Sequence, residues 1–192
     1  MFLPFRGPPR LYAALLALLL GSAAHATEPL GLIELFNYYE YSPALASSGQ
    51  PRREQLPLLP AAGVEAVINL VPVDSPDAYA EEGELVAALG LDYRHIPIDW
   101  DNPTEADLAA FLAAMEAFAD KRLLVHCYAN ARASAFVYLW RVLRAGHPDD
   151  EARATLVRIW DWNAGYELRN VPTWAAFIDA ALAAPPGDRA AP

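Results

Sequence analysis

One stretch of this chain decides its fold, and it reads Leu123-Leu124-Val125-His126-Cys127-Tyr128-Ala129-Asn130-Ala131-Arg132-Ala133-Ser134. Apolar residues typical of a buried strand come first, a short loop of small residues follows the cysteine, and an arginine opens a helix. A thiol at this junction meets free backbone N–H groups, the positive end of a helix dipole and a guanidinium. These neighbours favour the thiolate and bind oxyanions, so we predict that Cys127 is reactive.

The first 26 residues have the pattern of a secretory signal peptide. Arg6 and Arg10 precede an apolar run over residues 11–20, and Ala24-His25-Ala26 provides a small-x-small cleavage site. The apolar run is shorter than the ~20 residues that a membrane-spanning helix needs, although an uncleaved anchor is an alternative. We therefore expect a periplasmic or secreted protein, with no stable membrane association after cleavage.

The composition is acidic, and the length is that of a single domain. The chain has 192 residues, one of them cysteine, and a formal net charge of −10. A surface of this charge repels nucleic acid, so we expect no nucleic-acid partner. A lone cysteine cannot form a disulfide within the chain. Neither metal-ligand spacing nor a nucleotide-binding glycine motif is present, so we expect no metal and no cofactor.

Short apolar segments alternate with amphipathic ones. Strands are predicted at residues 64–70, 91–98 and 123–125, and helices at residues 76–89, 104–118, 136–143, 149–160 and 173–183. This alternation predicts an α/β fold, a single three-layer domain over residues 27–184 with a mainly parallel short sheet flanked by helices. Residues 185–192 are predicted to form a disordered tail. In such sheets ligands bind beyond the carboxyl ends of the strands, where Cys127 falls.

The chain resembles the cysteine-based protein tyrosine and dual-specificity phosphatases, in a compact bacterial branch. The resemblance runs from about Asn37 to Ala145, and it is carried by Ser47-Ser48-Gly49-Gln50-Pro51, residues 63–70, His95-Ile96-Pro97-Ile98-Asp99-Trp100 and the cysteine stretch. It implies a phosphatase that hydrolyses phosphomonoesters, on phosphorylated protein (phosphotyrosine or similar) or a small molecule. The reaction would pass through a cysteinyl-phosphate and need no metal.

The resemblance also implies a role for each residue of the site. Cys127 would be the nucleophile, Arg132 the clamp on the phosphoryl oxygens and Asp101 the acid that protonates the leaving alcohol. The substrate-binding residues would be His126, Tyr128, Ala129, Asn130, Ala131 and Ser134. Of these, His126 would orient the loop, and Ser134 would ease hydrolysis of the intermediate. Asp99 is the alternative acid, and both aspartates could instead be turn and capping residues.

The cysteine loop departs from the usual phosphatase pattern in its length. Four residues separate Cys127 from Arg132, where these phosphatases usually have five, and loops of this shorter length are characteristic of rhodanese-like sulfurtransferases. Asn130 stands where a glycine is usual, and Asn tolerates a left-handed backbone. Two alternatives therefore stay open: a sulfurtransferase that carries a persulfide on Cys127, and a non-catalytic phosphate-binding module.

The aromatic residues around the site are interpreted chiefly as packing. Trp100 follows a predicted strand and is either a wall of the pocket or a core residue. The segment that contains Trp160, Trp162 and Tyr166 is predicted to form a small satellite core near the C-terminus.

Overall fold

The computed structural model of the chain describes residues 31–75, 78–161 and 167–184. The predicted signal peptide and the predicted tail lie outside these residues and stay predictions. Among the described residues, no helix is both long enough and apolar enough to cross a membrane.

A five-stranded sheet lies at the centre of the described chain. Its strands are β1 (Tyr39–Ser42), β2 (Leu45–Ser48), β3 (Ala66–Asn69), β4 (Asp92–His95) and β5 (Leu123–His126). They lie in the order β1-β2-β5-β3-β4, with β1 antiparallel to β2 and every other pair parallel. The predicted mainly parallel sheet is therefore confirmed, although the sequence analysis missed β1 and β2. Because β5 is the middle strand, Cys127 lies at the centre of the sheet's carboxyl edge.

Helices cover both faces of this sheet, as the three-layer prediction requires. In the described ranges they are α1 (Leu58–Ala61), α2 (Glu82–Ala88), α3 (Glu105–Ala117), α4 (Ala131–Leu143), α5 (Asp149–Trp160) and α6 (Pro172–Ala183). The helix predicted from residue 76 begins only at Glu82, and Pro76 and Asp77 lie outside the described residues. The Tyr79 hydroxyl donates a hydrogen bond to the Pro51 carbonyl, which holds this segment against an earlier loop instead of in a helix.

The two faces of the sheet belong to two separate apolar cores. Leu123, Val125 and Cys127 point into the larger core, which packs against α3, α4, α5 and α6; we call this side the cysteine face. Leu124 points into the smaller core, with α1 and α2, and the alternation of side chains along a strand puts His126 on this side; we call it the histidine face.

Several aromatic side chains fill the cysteine face. They are Phe111, Phe136, Trp160 and Trp174, each buried. The prediction of a satellite core is wrong for Trp160, because its ring packs into the larger core against Trp174, with centroids 6.1 Å apart. Residues 162–166 lie outside the described residues.

Candidate active site

Strand β5 delivers Cys127 to the start of a long helix. The Cys127 N–H donates to the Ser48 carbonyl at 3.2 Å, so the cysteine still continues the pairing with β2. Three residues later, α4 begins at Ala131 and runs for 13 residues. The N–H groups of its first turn have no partner within the helix and carry the positive end of its dipole, so the cysteine lies close to a helix terminus of the kind that can bind an anion.

Asn130 makes the sharp turn between the strand and the helix. Its φ is +70°, which is a left-handed conformation. The prediction that Asn130 tolerates this backbone in place of the usual glycine is therefore confirmed. Its Nδ2 donates to the Asn37 carbonyl at 2.7 Å. Asn37 in turn donates through Nδ2 to the Ala129 carbonyl at 3.0 Å. The two asparagines therefore tie the loop to the segment before β1.

A second segment supports the loop from behind. The Gln50 N–H donates to the Tyr128 carbonyl at 3.0 Å. A Cβ added at Gly49 would lie 2.8 Å from that same carbonyl oxygen and 2.7 Å from the Phe36 ring, which is closer than real Cβ atoms approach. Only glycine therefore lets the chain pass this close to the cysteine loop.

The carbonyls of Tyr128, Ala129 and Asn130 each accept a hydrogen bond from within the protein, but Arg132 is left with an unused donor. Its Nε is buried and has no hydrogen-bond partner among the described residues. The guanidinium carbon lies 5.2 Å from the centroid of the Trp100 ring, a cation–π distance. Arg132 is thus packed by an aromatic ring and still able to donate to a ligand.

Trp100 joins the loop that carries Asp99 and Asp101, which we call the aspartate loop, to the C-terminal helices. Its ring lies 5.9 Å from that of Trp160 and 5.2 Å from that of Trp174, and its carbonyl accepts a hydrogen bond from Trp174 Nε1 at 2.9 Å. Trp160 Nε1 lies 3.2 Å from the Ala131 carbonyl at the start of α4. One aromatic cluster therefore contacts both the aspartate loop and the cysteine loop.

The two candidate acids are both exposed, but they differ in their contacts. Asp99 Oδ1 accepts a hydrogen bond from the Asp101 N–H at 2.9 Å, which is the turn-forming role considered for it. Within the part of the chain that the structure describes, the Asp101 carboxylate has no hydrogen bond or ion pair. The geometry therefore leaves Asp101 available for proton transfer, and its role stays a prediction.

Ser134 uses its hydroxyl within the protein. Its Oγ donates to the Asn130 carbonyl at 2.6 Å and accepts from Trp160 Nε1 at 3.1 Å. These contacts stabilise the first turn of α4. A contact between this hydroxyl and the Cys127 sulfur is not among those of the described residues, so its part in hydrolysis stays a prediction.

The remaining predicted site residues lie in or next to the cysteine loop, and they differ in their exposure to solvent. Tyr128 is half exposed, whereas Ala129 and Ala131 are buried. The Cys127 side chain is only 1% exposed and belongs to the larger core. In this structure the sulfur is therefore closed to solvent.

His126 contacts a carboxylate that the sequence analysis missed. Its Nε2 lies 2.7 Å from Glu82 Oε1, at ion-pair distance but not aligned for a hydrogen bond, and both side chains are buried. Burial alone would raise the pKa of Glu82, but the charge of His126 and its contacts with His126 and Gln50 together hold that pKa below its ordinary value. Glu82 has no sequence signal that separates it from the neighbouring Glu81 and Glu84.

No group of three or more His, Cys, Asp or Glu side chains among the described residues is arranged to hold a metal ion. The groups that the structure brings to this edge of the sheet include a thiol, a guanidinium and helix N–H groups.

Comparison with known proteins identifies the family. The chain is 40% identical to a DUF442 protein from Shewanella putrefaciens CN-32, provisionally described as a phosphatase, whose crystal structure superposes with a TM-score of 0.70 over 80% of this chain and 94% of the other. The chain belongs to the DUF442 branch of the cysteine-based phosphatase-like proteins. The predicted resemblance is thereby confirmed, and phosphatase activity in general is supported. No family model matches the chain.

Two further similarities place this DUF442 protein among its relatives. It is 32% identical over 133 residues to a beta-lactamase hydrolase-like protein from Xylella fastidiosa strain Temecula1, covering 68% of the chain but only 30% of that relative. TpbA from P. aeruginosa shares the fold, with a TM-score of 0.61 at 18% identity, over 81% of this chain and 89% of TpbA. TpbA has also been solved, as a Cys→Ser variant, in complex with phosphotyrosine.

Proposed function

We propose that this protein is an exported phosphatase that hydrolyses phosphomonoesters through a cysteinyl-phosphate on Cys127, without a metal. The observation that carries the proposal is the unused, buried Nε of Arg132 at the start of α4. A buried N–H without an acceptor costs free energy, because it has lost its bonds to water. A phosphoryl oxygen supplies both the acceptor and the opposite charge.

The proposed reaction has two steps at one phosphorus atom. The Cys127 thiolate attacks phosphorus, an S–P bond forms, and the P–O bond to the leaving group breaks while Asp101 gives its proton to that oxygen. Water then attacks phosphorus, Asp101 takes a proton from it, and the S–P bond breaks to release phosphate and the thiolate. Arg132 and the N–H groups of the loop hold the phosphoryl oxygens throughout.

The closed position of the sulfur adds a requirement to this scheme. Since Cys127 is 1% exposed, the side chains around it must open before a substrate reaches the thiol. Trp100 packs over Arg132 and lies next to Asp101 in sequence, so a movement of its ring would also move the proposed acid.

The proposed substrate class is a phosphomonoester of protein, with phosphotyrosine first. TpbA, which shares the fold, binds phosphotyrosine. Tyr128 presents an exposed aromatic ring directly after Cys127, suited to contact an aryl phosphate. Peptides that carry phosphotyrosine or phosphoserine at the same position would test this: faster hydrolysis of the phosphotyrosine peptide is expected, and equal rates would contradict the preference.

The reaction is tested with p-nitrophenyl phosphate and the reduced protein. Cys127→Ser should lower hydrolysis to background, and Arg132→Ala should lower kcat/KM by about 100-fold or more, because a charged donor to the phosphoryl group is lost. Asp101→Asn should lower kcat by about 100-fold, and Asp99→Asn serves as its matched control with an expected loss below about 3-fold. Full activity of Cys127→Ser would overturn the proposal.

The short cysteine loop favours one alternative, a rhodanese-like sulfurtransferase. In that reaction Cys127 carries a persulfide, and transfer of sulfur to a soft acceptor needs no acid at Asp101. A thiosulfate–cyanide assay on the same preparations distinguishes the two, because only sulfur transfer would survive Asp101→Asn unchanged. Tight tungstate binding without either activity would instead indicate a phosphate-binding module.

Export is proposed from the N-terminal sequence pattern alone. Expression of the full chain in a bacterium with a periplasm, followed by fractionation and N-terminal sequencing, provides the test. A periplasmic protein that begins near Thr27 is expected. Retention in the cytoplasm with Met1 intact would overturn this part of the proposal.

A further inference from the structure

Glu82 is a buried carboxylate to which the proposed reaction assigns no role. Its side chain, which is 1% exposed, reaches from the first turn of α2 to the carboxyl edge of the sheet. Gln50 Nε2 donates to Oε2 at 3.0 Å and Asn69 Nδ2 donates to the same oxygen at 2.9 Å. Oε1 lies 2.7 Å from His126 Nε2. These partners come from just after β2, the end of β3 and the end of β5, so one carboxylate joins three strand ends.

Two of these partners continue directly into the cysteine loop. His126 immediately precedes Cys127, and the backbone N–H of Gln50 donates to the carbonyl of Tyr128, which immediately follows Cys127. Glu82 therefore contacts His126, the residue before Cys127, and Gln50, whose backbone holds the residue after Cys127. A shift of the Glu82 carboxylate would therefore displace the residues on both sides of Cys127 together.

The groups around Glu82 leave it as the single anion of this cluster among the described residues. Asn69 Nδ2 also donates to the Tyr93 hydroxyl at 2.9 Å. Burial raises the pKa of Tyr93 to about 12 and raises the pKa of Tyr79, so both phenols stay neutral near pH 7. His95 Nε2 lies 2.7 Å from the Val71 carbonyl.

A buried imidazole behaves differently with and without a carboxylate beside it. Burial disfavours the imidazolium, whereas a carboxylate at ion-pair distance stabilises it. In this arrangement the His126 ring lies on the residue next to Cys127, and the carboxylate lies beyond it. The carboxylate thus fixes the ring at the base of the loop that would hold a phosphoryl group.

We propose that Glu82 is a positioning residue for the cysteine loop: it fixes His126 and Gln50, so that Cys127 is held in its reactive place. The proposal rests on the proposed phosphatase function. It concerns a residue outside the substrate cradle, and it predicts an effect on the thiol that does not depend on any substrate.

The kinetic test compares Glu82→Gln with Glu84→Gln, an exposed position on the same helix. With p-nitrophenyl phosphate, Glu82→Gln should lower kcat/KM about 10-fold or more, because a small displacement of the nucleophile is costly. The acid limb of its pH profile should also move to higher pH. Glu84→Gln should match the unaltered protein. Unchanged kcat/KM and pH profile in Glu82→Gln would overturn the proposal.

The second measurement is alkylation by iodoacetamide across pH, which reports on one thiol because Cys127 is the single cysteine. In Glu82→Gln the pH midpoint of alkylation should rise by about half a unit to one unit, because the N–H groups of a displaced loop stabilise the thiolate less. If the unaltered protein has no phosphatase activity, the proposed function fails, but this shift still supports the positioning role. An unshifted midpoint overturns that role.

A milder variant covers the case in which Glu82→Gln does not fold. Gln50→Met removes one hydrogen bond to the carboxylate at a half-buried position while it keeps the length of the side chain. It should shift the alkylation midpoint in the same direction by a smaller amount. If the only variant that folds is Gln50→Met and its midpoint is that of the unaltered protein, the proposal is overturned.

Discussion

The two faces of the sheet meet at the cysteine loop, and they are built in opposite ways. On the cysteine face, Phe136 packs edge-to-face against Phe111 at 5.4 Å and Trp174 at 6.0 Å, so stabilisation comes from apolar area and ring contacts. On the histidine face, the region next to the loop is a buried polar cluster around Glu82. The loop is therefore supported by apolar packing on one side and by a buried charge on the other.

The contributions of the two faces to stability should depend differently on pH. Apolar packing does not depend on protonation, whereas a buried carboxylate stabilises the fold only while it is ionised. Variants on the two faces should therefore separate when stability is measured at two pH values.

The largest effect is expected for Phe136→Ala on the cysteine face. Phe136 is fully buried, and its loss leaves a cavity among the aromatic rings. We expect the free energy of unfolding to fall by about 3–5 kcal/mol. Urea unfolding should show the same loss, within error, at pH 7 and at pH 3. A loss that halves in acid would contradict the apolar account of this face.

A smaller and pH-dependent effect is expected for Glu82→Gln on the histidine face. The native-state pKa of Glu82 lies below its ordinary value of 4.5. Its ionised form therefore stabilises the protein above about pH 4.5, and this contribution disappears as the pH falls through the lower native pKa. We expect a loss of about 2–3 kcal/mol at pH 7, because the hydrogen bonds from Gln50 and Asn69 lose their ionised acceptor. The difference from the unaltered protein should shrink toward pH 3, and a constant difference would refute the assignment.

The smallest effect is expected at Asn130, where the two faces join. Asn130→Ala puts a Cβ without a local hydrogen bond into the left-handed region, and it also removes the bond to the Asn37 carbonyl. We expect a loss of about 2 kcal/mol. Asn130→Gly removes the same hydrogen bond but relieves the backbone, so it should cost about 1 kcal/mol less. Equal losses in thermal unfolding would show that the backbone conformation is not the cause.

The parts of the fold that the sequence predicted are those with local signals. The apolar run before Cys127, the helix predicted at residues 104–118 and the left-handed tolerance of Asn130 are all properties of neighbouring residues, and each is found in the structure. Strands β1 and β2 were missed because Tyr39–Ser42 and Leu45–Ser48 are short and rich in small or polar residues. β2 pairs with β5, which is distant in sequence, and β1 pairs with β2.

The candidate site shows the same division between local and distant information. Cys127, Arg132 and the loop between them follow from one motif. Glu82 could not be predicted, because whether a helical glutamate is buried depends on which strand ends lie beside it. The closed position of the sulfur is also a tertiary property, since it depends on side chains of several elements that pack around the loop.

The hydrogen bond between Trp174 and the Trp100 carbonyl shows that α6 does more than cover the sheet, because it also holds the segment that contains Trp100. A shortened version of this protein that ended after α5 would keep the cysteine, the arginine and both aspartates. It would nevertheless leave the segment that bears the proposed acid without its anchor. The segment that carries Asp101 therefore depends on Trp174, about forty residues past Arg132.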